Sequence, residues 1–259
     1  MAGRRIVVVG AGSGIGAATS AHFHSHGDHV LAVDVRPCET PASQHEVCDL
    51  RDRDDIAGLL GRIGPDWDML AHVAGVPGTA PAADVLTVNY LGMRSMVEGM
   101  LPLMRRGGSV VAVASTAALG WDQRLDVLAD LLDLTDAAAV EQWQAGQDPD
   151  YPVYSTSKQA VIAYSKRIAG QAWSKYGVRV NTVSPGPVET PILSDFEQTM
   201  GKDVLDMVRS TVGRHGTVED IVPVIAFLGS PEARWINGQD IHVDAGFIAS
   251  MTCGAPITL

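Results

Sequence analysis

Paired cysteines, basic blocks and long apolar runs are all missing from this chain, and each absence removes a class of function. Three cysteines, Cys38, Cys48 and Cys253, are odd in number and scattered over 259 residues. They make neither a disulfide framework nor a CxxC metal or redox pair, and they read as free thiols of a reducing, cytoplasmic compartment. No stretch approaches the ~20 apolar residues that cross a bilayer, and the run Ile6 to Val9 stops at Gly10, too short for a signal-peptide core. Lys and Arg number 19 against 30 Asp and Glu, a formal charge of −11, with no basic cluster. Nucleic acid and anionic membrane surfaces are therefore not expected partners. Aromatic residues are scarce at 5 %. Ala, Val, Leu and Gly carry the apolar share instead, which suits helices packed closely on parallel strands.

What is present is an alternation. Short β-branched runs at 6–9, 30–34, 46–48, 69–73, 109–114, 178–183 and 240–243 read as strands. Helical patterns at 15–26, 52–63, 84–104, 152–176 and 217–228 separate most of them. This predicts an α/β fold: one doubly wound parallel sheet of about seven strands with helices on both faces. No repeat or linker divides the chain, so residues 1–259 are expected to form a single domain. One segment, 117–150, breaks the rhythm. Its acidic residues Asp122, Asp126, Asp130 and Asp133 oppose Leu125, Leu128 and Leu132, as in an amphipathic helix added to the body.

Two motifs carry chemistry. Gly10-Ala11-Gly12-Ser13-Gly14-Ile15-Gly16 joins the first strand to the first helix with glycines spaced GxxxGxG. Glycines let backbone approach a pyrophosphate, and a helix N-terminus adds free N–H groups and partial positive charge. Asp34 closes the second strand, where a carboxylate can accept from a ribose 2′-hydroxyl but would repel a 2′-phosphate. NAD is therefore favoured over NADP, although Arg36 lies nearby. Further along, Tyr154 and Lys158 stand four apart on a helix and share a face. Bringing a tyrosine from about pH 10 to 7 takes roughly 4 kcal/mol of phenolate stabilisation. The lysine ammonium and a positive nicotinamide are expected to supply it.

The order of parts resembles the short-chain dehydrogenase/reductase family. The likeness rests on Gly10, Gly14 and Gly16, Ala74-Gly75, Val88-Asn89-Tyr90-Leu91-Gly92, Ser115, Tyr154 with Lys158, Asn181-Thr182-Val183-Ser184-Pro185-Gly186, and Gly238 to Asp244. The resemblance implies a Rossmann-type fold and an NAD-dependent oxidoreductase that interconverts an alcohol and a ketone. Ser115 would hold the substrate oxygen, Tyr154 would act as acid and base, and Lys158 would grip the nicotinamide ribose. Asn89 would support a water relay to Lys158. Ser13, Ile15 and Val35 join the glycines and Asp34 as expected cofactor contacts. Asp49 and Leu50 would flank the adenine and Ala74-Gly75 the cleft, with Pro185, Val188 and Thr190 at the nicotinamide. A homo-oligomer, dimer or tetramer, is implied as well. Departures are Val9 and His72-Val73 at positions where the family usually has Thr and Asn-Asn, and Ala245 in place of glycine. The 39-residue spacing of Ser115 and Tyr154 is unusually wide. That insertion, with Gly14 to Thr19 and Val188 to Leu193, is similar to the bacterial 3α-hydroxysteroid dehydrogenase/carbonyl reductase group, which implies a bulky apolar or alicyclic substrate.

Other features are weighed against this reading. His22, His24, His26 and His29 are read as an exposed helix end and not a metal site, since the chemistry needs no metal. Ile192, Leu193, Phe196, Met200, Leu205 and Met207 form a candidate apolar lid within 188–213. The alternatives are an inactive NAD-binding regulatory module, a reductase of small non-steroid carbonyl compounds, and a dehydratase or epimerase. The joint presence of Ser115, Tyr154 and Lys158 argues against the first, and the small C-terminal part against the last.

Overall fold

The computed structural model describes residues 3–254, apart from the side chain of Met200. The first β-branched run forms β1 (Arg5–Val9), flanked by β2 (His29–Asp34) and, beyond it, β3 (Gln44–Val47). β4 (Trp67–His72), β5 (Met104–Val113), β6 (Arg179–Pro185) and β7 (Asp240–Val243) continue on the other side. All pairings are parallel, in the order β3-β2-β1-β4-β5-β6-β7. The winding reverses between β1 and β4, which opens a crevice at the carboxyl ends of these strands.

The helices are α1 (Gly14–Ser25), α2 (Arg53–Ile63), α3 (Ala82–Leu86), α4 (Met93–Met100), α5 (Leu125–Asp133) and α6 (Ala137–Ala145). After them come α7 (Val153–Gln171), α8 (Leu193–Met200), α9 (Lys202–Val212), α10 (Val218–Leu228) and α11 (Phe247–Cys253). Strand periodicity divides the core into two layers. Ile6, Val8, Met69 and Val111 meet Phe23 of α1 and Ile225 of α10. Val7, Val9, Leu70 and Ala112 meet Leu59 of α2, Met96 of α4 and Ala160 of α7. Among the described residues no helix is long and apolar enough to cross a membrane.

Two late motifs hold the sheet edge. Thr182 Oγ1 and Ser184 Oγ of β6 both donate to the Asp240 carboxylate of β7, at 2.6 and 2.8 Å. Asn181 spans the same junction, donating to the Ile236 carbonyl and accepting from the Gln239 N–H. Arg179, 2 % exposed, donates to the Leu228 and Ser230 carbonyls and so satisfies the end of α10 from beneath the sheet.

The structure corrects three expected boundaries. The helix read over 84–104 is broken: α3 passes into a π-helical turn at Thr87–Gly92, then α4, then a tight turn at Leu101–Leu103. β5 begins at Met104 and not at 109, because Gly107 at φ +90 lets exposed Arg105 and Arg106 continue the extended chain. The inserted segment is two helices, α5 and α6, not one. They part after Asp133, where the Tyr90 hydroxyl and Arg94 guanidinium take up the Leu132 and Leu134 carbonyls. Leu128, Leu131 and Val140 are fully buried against the body. At its start, Arg124 donates to Thr156 and Gln159 of α7 and lies 3.6 Å from the Tyr151 ring centre. The insertion therefore braces the flank of α7.

Leu131→Ala is expected to lower the unfolding free energy by about 2–5 kcal/mol, the cost of a buried leucine cavity. Urea denaturation followed by circular dichroism checks this, and undiminished stability would show the insertion to be energetically peripheral.

Candidate active site

The glycine turn is shaped by close approach. Gly10 has φ +84, and a Cβ there would lie 2.5 Å from Ala74 Cα, so β1 and β4 converge only around a bare backbone. A Cβ at Gly16 would overlap the Gly10 carbonyl oxygen, which brings α1 hard against the turn. Gly14, at φ +51, faces Thr190 across the cleft, 3.2 Å from an imagined Cβ. Ser13 caps α1 without a side-chain hydrogen bond. The first-turn N–H groups are thus free to receive an anion. Asp34 Oδ2 accepts the Gly12 N–H at 2.8 Å and Oδ1 accepts from Arg36 N at 3.4 Å, which fixes the carboxylate at the cleft rim. Gly12, whose Cβ would collide with that carboxylate, is a position sequence reasoning missed.

The cleft has a volume of about 580 Å³. It brings together Gly10, Ser13, Gly14, Ile15, Gly16, Asp34, Val35, Asp49, Leu50, Ala74, Gly75 and Thr190. Its glycine floor, open helix terminus and rim carboxylate fit a dinucleotide. Arg51 and Asp84 also line it and were missed. Arg51 bonds Asp49 at 2.7 Å and reaches Asp84 at 3.5 Å; its hydrogen bonds hold the Asp49 carboxyl below the usual range. Two positions between acids carried no sequence signal beyond charge.

An adjoining cavity of about 100 Å³ is lined by Ser115, Tyr154, Lys158, Pro185, Val188 and Thr190, with Ile192 and Phe196 above. Ser115 follows β5 and accepts the Ala117 N–H at 3.1 Å, and its hydroxyl also bonds Tyr154. Tyr154 and Lys158 sit one turn apart on α7, the ammonium 5.8 Å from the phenol ring centre. Lys158 is 4 % exposed, and Nζ donates to the Val113 carbonyl at 2.9 Å. Burial brings the amine down to about 8. Burial also pushes the Tyr154 phenol well above the ordinary tyrosine value, while a hydrogen bond with Ser115 pulls the other way. Lys158 and a bound nicotinamide are expected to lower the phenol; in the chain alone burial dominates, and the ammonium is turned onto the Val113 carbonyl.

Asn89 lies in the π-helical turn and lines neither cavity. Its Oδ1 accepts from Val76 N at 2.7 Å, and Nδ2 donates to Val76 O and Ser157 Oγ, each at 3.0 Å. A Cβ at Gly75 would lie 3.2 Å from both Asn89 Oδ1 and Lys158 Nζ, so the amide and the ammonium flank the same backbone. No residue of 117–150 lines either cavity.

The lid expectation divides. α8 closes over Tyr154: the Phe196 ring centre is 5.1 Å away, and Thr79 Oγ1 donates to Asp195 at 2.8 Å. α9 turns its apolar side elsewhere, Val208 packing on Phe247 and Ile248 of α11, while Met207 is 48 % exposed. Met200's side chain falls outside the described residues. The His22 and His26 rings stack at 4.3 Å, but no group of three metal-ligating side chains exists among the described residues.

Comparison with known proteins accords with this geometry. Residues 4–123 match the short chain dehydrogenase model, and residues 138–248 match the model described as Enoyl-(Acyl carrier protein) reductase. A coniferyl-alcohol dehydrogenase of a Pseudomonas sp. is 34 % identical over 249 residues, covering 95 % of this chain and 97 % of that protein. The 3-alpha-hydroxysteroid dehydrogenase/carbonyl reductase of Comamonas testosteroni is 32 % identical over 255 residues, with the same coverage. A solved 3-alpha-hydroxysteroid dehydrogenase from a Pseudomonas sp., complexed with NADH, superimposes with TM-score 0.82 at 30 % identity, covering 97 % of this chain and 99 % of that one.

Gly14→Ala adds about 1–2 kcal/mol of left-handed backbone strain and narrows the cleft. Dinucleotide affinity, read by tryptophan fluorescence, is expected to fall about tenfold or more with the fold retained; an unchanged Kd would remove the glycine turn from the binding site.

Proposed function

Because this chain belongs to the short-chain dehydrogenase/reductase family, we propose that it interconverts a secondary alcohol and a ketone with NAD, Tyr154 acting as acid and base. The observation that carries this reading is the meeting of Ser115, Tyr154 and Lys158 in one cavity that opens beside the glycine cleft. When bound, a nicotinamide dinucleotide supplies the carbon that gives or takes hydride. Ser115 turns its hydroxyl proton from Tyr154 to the substrate oxygen and orients that oxygen toward Tyr154. Tyr154 Oη takes the alcohol proton in oxidation and returns it in reduction. The phenol must ionise against its burial, so the stabilisation falls to positive charge in the cleft. Lys158, held on the Val113 carbonyl, keeps a cation at the foot of that path.

NAD is the preferred cofactor in this reading because Asp34 is pinned at the rim by Gly12, with oxygen lone pairs left for ribose hydroxyls. Its charge opposes a 2′-phosphate, and the solved relative that carries NADH supports the same choice. The substrate is a bulky, mostly apolar alcohol or ketone, 3α-hydroxysteroids included, admitted when α8 moves off Tyr154. A second reading, a flat aryl alcohol like the one named for the coniferyl-alcohol relative, is favoured by the small cavity and the aromatic wall of Phe196. A homo-oligomer belongs to the same proposal. It is supported by Trp235, 88 % exposed and edge-on to Trp173 at 6.5 Å, an apolar surface of the kind partners cover.

Tyr154→Phe is expected to bind NAD as the unaltered protein does and to lose about 10²–10⁴-fold in turnover on a panel of alicyclic and aryl alcohols, followed by nicotinamide absorbance. Full activity in that variant would defeat the acid–base role. Asp34→Ala is expected to narrow the ratio of kcat/KM for NAD over NADP by at least about tenfold, roughly one charged hydrogen bond; equal use of both cofactors by the unaltered protein would overturn the reading of Asp34.

A further inference from the structure

β4 ends on a histidine for which the reaction above has no use. His72 is 2 % exposed, and its Nε2 is buried with no hydrogen-bond partner among the described residues. Leaving a buried polar nitrogen unpaired is costly, so the position calls for an explanation. Strand register fixes where the ring goes. His72 pairs with Val9 on β1 and Ala112 on β5, and both of those side chains enter the core layer under α7. Paired residues of a parallel sheet share a face, so the imidazole enters that layer too. The next carbonyl along β5, that of Val113, is the one that holds the Lys158 ammonium. Imidazole and ammonium therefore lie in the same layer at the ends of adjacent strands, near Asn89.

Burial, and after it the charge of Lys158, hold the imidazole down to about 3. The ring is thus neutral across the working range, with a proton on one nitrogen and an acceptor lone pair on the other. Few groups face Lys158: Tyr154 on its own helix, Asn89 from the π-helical turn, the Val113 carbonyl from β5 and His72 from β4. Among the described residues no carboxylate acts on the ammonium, and burial alone lowers it.

We propose that His72 is a positioning residue for Lys158: its Nε2 accepts a hydrogen bond from the ammonium across one bridging water, and keeps Lys158 charged where no described carboxylate acts on it. The sign follows from the geometry. An acceptor stabilises the protonated amine, so removing it makes Lys158 lose its proton at lower pH. The alkaline limb of alcohol oxidation should then move to lower pH, since the cation beside the Tyr154 phenolate disappears earlier.

The proposal rests on the role given to Lys158 above, but its test reads the amine and not turnover. The sequence has four lysines, so isotopic labelling at lysine Cε gives a simple spectrum, in which Lys158→Met identifies the Lys158 signal. In the unaltered protein that signal titrates near pH 8. In His72→Leu its midpoint should fall by about half a pH unit or more, about threefold in the charged-to-neutral ratio. His72→Gln, which restores an acceptor, should bring it back. An unmoved midpoint in folded His72→Leu overturns the proposal, even if turnover drops, because a merely structural histidine would behave that way. Should His72→Leu not fold, imidazole nitrogen NMR of the unaltered protein decides: a bare Nε2 with the proton on Nδ1 is required, and a proton on Nε2 overturns it. A shifted midpoint in a protein that oxidises no alcohol defeats the dehydrogenase reading and leaves this one standing.

Discussion

A single buried hydrogen bond, from the Lys158 ammonium to the Val113 carbonyl, sets the terms for the rest of the site. It ties the middle of α7 to the end of β5 and leaves a cation nearly buried. Desolvating an ammonium is costly, and the amine responds by titrating near 8. The surroundings reflect that cost. Gly75 leaves room for the ammonium beside Asn89, whose amide is itself fixed by Val76 and Ser157. The π-helical turn that carries Asn89 interrupts a helix that would otherwise run smoothly from α3 to α4. Such widened turns commonly mark functional positions, because they re-aim one side chain at the expense of regular bonding.

The cleft beside this cation is built from absences of side chain and from one fixed anion. Gly10 and Gly16 are required by packing, since a Cβ at either would strike the backbone of Ala74 or Gly10. Gly14 is required by its left-handed backbone and by the narrowness of the gap to Thr190. Asp34 both closes the turn through Gly12 and presents negative charge at the rim. The same residue therefore shapes the loop and sets the charge at its rim.

Two accessory pieces act on the site from opposite sides. The insertion is fastened to α7 by Arg124 and to the π-helical turn and α4 by Tyr90 and Arg94, well away from either cavity. Its contribution is to stiffen the helix that carries Tyr154 and Lys158. α8 lies over the phenol through Phe196 and is held by the exposed Thr79 to Asp195 bond, a contact that competes with water and is easily released. The two pieces differ in attachment: the insertion is packed into the core, whereas α8 rests on an aromatic contact and one exposed hydrogen bond.

The sequence by itself determined the order of strands and helices, the glycine turn, the rim acid and the spacing of Tyr154 and Lys158. All of these are local: period, turn chemistry and helical spacing act within a few residues and leave their mark in the chain. The tertiary structure alone decided the rest. Nothing in the neighbours of Arg51 or Asp84 announces that they reach the cleft, because Arg51 meets Asp84 only across the fold. The split of the insertion into α5 and α6 depends on Arg94 and Tyr90, distant in sequence. The depth at which Tyr154 and Lys158 are buried, which spacing does not report, pushes the phenol up and the amine down. His72 reads in sequence as a lost hydrogen bond within the sheet. Only strand register, which turns its ring into the Lys158 layer, makes it a neighbour of the chemistry.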